Sequence, residues 1–151
     1  MTRSAPVRVE VPSIGVDSEL MELGLRADGA MEVPPEAFPA GWYTGAPTPG
    51  ELGPAVIAGH IDWVTGPAVF ADLSEVAVDD EIVVTREDGT RAVFRVASTG
   101  QYAKDAFPTA EVYGNLDHAG LRLISCGGSW DTTTRHYRDN IVVFAELVDA
   151  D

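Results

Sequence analysis

The chain has 151 residues, with 24 acidic against 10 basic side chains, a formal net charge of −14 and 45% hydrophobic residues. That length fits one domain with a single core, and the composition argues against a disordered chain. The negative field argues against binding to nucleic-acid backbones or anionic membrane surfaces, and no run of about 18 apolar residues is available for a membrane-spanning helix.

Read from the N-terminus, the sequence is rich in short strands. Val7–Val16 alternates apolar and polar residues, with Pro12 interrupting it. Asp28-Gly29 marks a tight turn between two short strands. Phe38–Ala55 is rich in glycine, proline and aromatic residues and reads as a long loop, with the functional alternative of a groove wall. Ala55–Ile61 has the pattern of a buried strand, and Pro67–Leu73 that of one or two helical turns. Asp79-Asp80 is a turn. Ile82–Thr85 and Ala92–Ala97 flank Glu87–Thr90 as a hairpin, with Gly89 supplying the reversal. A second short helix is expected within "DAFPTAEVYG", and strands at Leu121–Cys126 and Asn140–Val148. Many short strands with frequent turn signals predict a sandwich or a closed barrel.

Cys126 is the single cysteine, which excludes an internal disulfide and multi-cysteine metal sites. It ends an apolar strand and precedes Gly127-Gly128. One reading is a small buried hydrophobe; the other is a nucleophile. A free thiol has a pKa of about 8.5, and a negative molecule raises it, so a catalytic Cys126 needs local cations. His60 also ends a predicted strand, and two strand ends at one barrel rim would join thiol and imidazole. Arg138, just before the last strand, is a permanent cation with five donors; it could stabilise a thiolate or an oxyanion, or simply pair with Asp139 on the surface. Gly127-Gly128 either makes a turn or lets a substrate backbone approach closely. His60, Asp62, His118 and His136 match no compact metal-ligand spacing.

The order His60, Cys126, Arg138 and the segments "VPSIGVDSELMELGL", "AVIAGHID", "GPAVFADL", "LRLISCGG" and "HYRDNIVVFAEL" resemble the sortases, most of all the class F sortases of actinobacteria. The resemblance runs from about Val9 to Leu147. It implies an all-β fold with short helices, built as a closed eight-stranded β-barrel. It also implies a cysteine transpeptidase that cleaves an LPxTG-type sorting signal between Thr and Gly through a Cys thioester. The acyl group then passes to an amine of the cell wall or its peptidoglycan precursor. By matching residues, His60 takes the histidine role, Cys126 the nucleophile and Arg138 the arginine, with Arg135 as its rival. Ser125, Gly127, Gly128 and Tyr137 are expected to bind substrate, and the 38–54 and 127–138 segments to wall the groove. No cofactor, metal or nucleic acid is expected, and Asp79-Asp80-Glu81 is not read as a calcium site.

Residues 1–8 are expected to be the remnant of a trimmed anchor or linker, and 9–151 the sortase catalytic domain. The expected location is the extracellular face of the cell membrane, with membrane attachment only through an N-terminal anchor. "LIS" precedes the cysteine where the best-known sortases carry threonine next to it, as in the less-studied classes. Two other readings stay open at this stage: a hydrolytic cysteine peptidase and a non-catalytic β-barrel binding module.

Overall fold

The computed structural model describes residues 1–29, 31–103, 107–131 and 136–150, with side-chain surroundings for all of these except 126–131 and 136–139. Strand β1 (Pro6–Val11) starts within the 1–8 segment. Pro12 opens a single 3-10 turn, Pro12–Ile14, and Gly15 at φ 69° reverses the chain into β2 (Val16–Leu23). β2 runs parallel to β3 (Ala40–Tyr43), which pairs antiparallel with β4 (Gly53–Gly59). After β4 come the two-residue strands β5 (Asp62–Trp63) and β6 (Gly66–Pro67), paired with each other, and a 3-10 turn at Leu73–Glu75. β7 (Glu81–Arg86) and β8 (Arg91–Ala103) form the expected hairpin, with Gly89 at φ 86°. The short helix α1 (Thr109–Tyr113) leads to β9 (Ala119–Asp131) and β10 (His136–Ala150).

Among the described residues, eight strands close into one barrel in the order β1-β2-β3-β4-β9-β10-β8-β7, so the fold is all-β with few helices. Closure leaves those strands without a free edge. Its interior is filled by alternate residues of each strand, including Val9, Ile57, Ile82, Phe94, Leu123 and Val143, all fully buried. Outside the barrel, Val56, Ile124 and Val142 pack against Val112 of α1 as a second cluster. β4 is therefore buried on both faces, which is why it reads as an unbroken apolar run.

Two local expectations are corrected. The 38–55 segment is not one loop: Ala40–Tyr43 is β3, and Gly53 already belongs to β4. Glycine and proline made this stretch look irregular, yet pairing to β2 on one side and β4 on the other holds it extended. Residues 67–73 form no α-helix: the Ala71 and Leu73 N–H groups close isolated turns on the Ala68 and Phe70 carbonyls at 3.1 and 3.0 Å, and Leu73 opens the 3-10 turn. The Ala68 and Phe70 N–H groups donate to the Ile61 and His60 carbonyls at 3.0 and 2.9 Å, so they are taken by the segment following β4 rather than by a helical turn. The second predicted helix is present as α1 over Thr109–Tyr113, while residues 105–106 of that stretch lie outside the described residues.

Phe94 lies fully buried in the barrel interior. Phe94→Ala is expected to cost about 3–5 kcal/mol of stability, read as a lower urea midpoint with an unchanged m-value.

Candidate active site

The site is built first by backbone register. β4 and β9 pair in parallel from Gly53↔Ala119 to Gly59↔Ser125. The next residues on the two strands are His60 and Cys126, so two positions far apart in sequence emerge side by side at one rim. Neighbouring strands lie about 4.8 Å apart. On the other side of β9, Cys126 is paired with Asn140 and Gly127 with Asp139 of β10. The register shifts between Tyr137 and Asp139, which is where Arg138 sits. His60 thus follows the end of β4, Cys126 lies within β9, which runs on to Asp131 rather than ending at the cysteine as expected, and Arg138 lies near the start of β10, on three neighbouring strands. The side chains of Cys126, Gly127, Gly128, Tyr137 and Arg138 lie outside the described residues, and Arg135 does so altogether.

His60 is half-buried, and its ring is fixed by its neighbours. Its Nε2 lies 2.6 Å from the Pro34 carbonyl oxygen. A carbonyl only accepts, so Nε2 carries the proton in this arrangement. The indole of Trp63 lies against the imidazole, with ring centroids 4.9 Å apart and tilted by 46°. From below, the His60 carbonyl accepts the Phe70 N–H. Gly59 allows that approach, since a Cβ there would stand 2.7 Å from Val69 Cγ1 and 2.8 Å from the Phe70 ring.

Beside the imidazole is a cavity of about 180 Å³, whose wall includes His60, Ser125, Asn140, Ile124, Phe107 and Tyr113. Ser125, expected to bind substrate, is buried, and its Oγ has no hydrogen-bond partner among the described residues. An orphan hydroxyl on a cavity wall is costly unless a ligand or water meets it. Burial, with the nearby Tyr43 as a smaller cause, pushes the Tyr113 phenol above its ordinary pKa and keeps it a neutral donor.

Asn140, Pro34 and Trp63 were not singled out in the sequence. Asn140 had one available signal, its position two residues after Arg138, but its pairing with Cys126 depends on the β9–β10 register. His118 lies away from this rim, just before β9, where its Nδ1 and Nε2 face Asp117 at 2.9 Å and Glu146 at 3.4 Å. Among the described residues no helix is long and apolar enough to cross a membrane.

The family model described as the sortase domain matches residues 9–148. Among curated protein sequences, none matches the chain. In solved structures the fold is similar to a lid mutant of sortase A from Corynebacterium diphtheriae, with a TM-score of 0.76 and 20% identity, covering 100% of this chain and 74% of that one. It is similar to sortase C2 of Pilus Island 1 from Group B Streptococcus, with a TM-score of 0.73 and 20% identity over 99% of this chain and 76% of that one. Sortase C-1 from Actinomyces oris gives 0.71 and 18% identity over 94% and 73%. At these identities the structural likeness is one of fold.

The Pro34 contact makes a spectroscopic prediction. Long-range ¹⁵N–¹H spectra of the neutral His60 ring are expected to show Nε2 protonated and Nδ1 bare. The opposite tautomer would mean that the Pro34 carbonyl does not hold the ring.

Proposed function

This chain belongs to the sortase family and is a cysteine transpeptidase acting on sorting signals, and from that premise we propose that Cys126, His60 and Arg138 carry the reaction on an LPxTG-type motif. The observation that supports this assignment is the parallel pairing Gly59↔Ser125, directly before His60 and Cys126. We infer further that the chain is of the class F, actinobacterial type, a reading supported by the "LISC" context of the nucleophile. It is held at the outer face of the cell membrane by an N-terminal anchor, joined to a catalytic domain whose first strand already opens at Pro6, within the 1–8 segment.

Cys126 passes its thiol proton to His60 Nδ1, and the sulfur attacks the Thr carbonyl carbon of the motif. Negative charge develops on that carbonyl oxygen in the tetrahedral intermediate, and the Arg138 guanidinium meets it. The C–N bond to glycine then breaks, and the departing amine takes a proton from His60. With Nε2 donating to Pro34, Nδ1 is the ring nitrogen assigned to this transfer. What remains is a thioester between Cys126 and the Thr carbonyl carbon. An amine of the peptidoglycan precursor attacks it, His60 takes the amine's proton, and the sulfur leaves as the new amide forms. Ser125, Gly127, Gly128 and Tyr137 line the path of the substrate backbone. Water in place of the amine gives hydrolysis through the same thioester, and the chain's membership of an enzyme family supersedes the binding-module reading.

Cys126→Ala is expected to abolish both cleavage and transfer of an LPxTG-type peptide. His60→Ala is expected to lower kcat/KM about 10²–10⁴-fold, and Arg138→Ala about 10²–10³-fold. Arg135→Ala is expected to do far less; the reverse ranking would transfer the arginine role to Arg135. Product analysis with and without an oligoglycine or diaminopimelate-like amine measures transfer against hydrolysis.

A further inference from the structure

A second and larger hollow, of about 710 Å³, adjoins the cavity at His60, and the two share Met31 and Tyr113 in their walls. The smaller cavity is lined by Ala58 and Gly59 at the end of β4, and the larger by Gly53 and Pro54 at its start. The two lie toward opposite ends of β4, where Pro54 and Gly59 are about 17 Å apart at about 3.3 Å per residue.

The larger hollow is chemically distinct from the rest of the surface. Each residue lining it is uncharged, in a chain whose net charge is −14. Leu25 and Leu52 stand in its wall 58% and 68% exposed. Tyr43 and Tyr113 meet edge to face at 6.3 Å, and the Tyr113 hydroxyl points to the Met31 sulfur at 4.0 Å. Two exposed leucines around an aromatic hollow form the kind of apolar patch that marks a contact surface.

We propose that this hollow is a subsite for the segment of the substrate protein immediately N-terminal to its sorting motif, taking an apolar or aromatic side chain about six residues before the scissile bond. The inference rests on the sorting-signal reading of the site. The shared wall of Met31 and Tyr113 identifies the occupant, because an extended peptide with its scissile bond at the rim passes that wall and reaches the level of Pro54 after about six residues. The direction follows from the chemistry. The acyl half of the substrate stays on the enzyme throughout the thioester stage, whereas the leaving half must clear its side for the incoming amine. A walled extension of the catalytic cavity serves the half that stays. Contacts remote from the reacting bond then contribute to kcat/KM.

The test compares two peptides sharing one LPxTG motif, extended on the N-terminal side with either leucine or serine about six residues before the scissile bond. The leucine peptide is expected to be cleaved with roughly tenfold higher kcat/KM. Leu52→Glu and, independently, Leu25→Glu are expected to bring that ratio close to one. Val78→Glu adds the same charge at another exposed apolar position, in the turn before β7, and is expected to keep the wild-type ratio. Equal rates for the two peptides on the wild-type enzyme would overturn the subsite alone. The same advantage from leucine placed after the scissile bond would overturn the assigned direction. Failure to cleave either peptide would overturn the sorting-signal reading, and this inference with it.

Discussion

The parallel pairing of β4 with β9 is the constraint on which the rest of the molecule depends. Ala55 and Ile57 of β4 belong to the barrel interior, while Val56 is packed under α1 with Ile124 of β9. With both faces buried, the register cannot drift, because a slip of one residue would exchange inward and outward side chains along the strand. The register therefore sets the level at which His60 leaves one strand and Cys126 follows on the other. Apolar packing many ångströms below the rim determines where polar chemistry occurs on top of it.

The loops complete what the strands begin. Gly59 admits the Phe70 ring beneath the His60 backbone, Trp63 lies against the imidazole, and the Pro34 carbonyl holds one of its nitrogens. Each partner comes from a different stretch of chain, so the ring is held from several directions. The electrostatics are also local. Although the molecule is strongly acidic, no carboxylate lines the cavity at His60 among the described residues. A nearby carboxylate would raise a thiol's pKa and oppose the anion forming on the substrate.

Much of the fold was legible because local chemistry and tertiary structure agree. The β7–β8 hairpin has β-branched runs around a glycine turn, and β4, β9 and β10 are apolar runs of strand length. β3 was not legible, because Ala40–Tyr43 lies among glycines and prolines and is extended by its neighbours rather than by its own propensity. The segment at residues 67–73 is reduced to isolated turns for a related reason: the Ala68 and Phe70 N–H groups serve the His60 segment. At the site, Cys126 and His60 stood out by residue type, and His60 also by its place just after a strand, whereas β9 runs on past Cys126 to Asp131. Their adjacency came from family likeness, since no local pattern specifies a parallel pairing between distant segments. Pro34 contributes through its backbone oxygen and so left no trace in the sequence.

The same long-range pairing governs when chemistry becomes available. Segments so far apart in sequence meet only after a large loop has closed, and contacts of that kind form late and slowly. Until the barrel shuts, nothing holds residues 60 and 126 at one level, so their placement is a property of the finished fold and of no part of it.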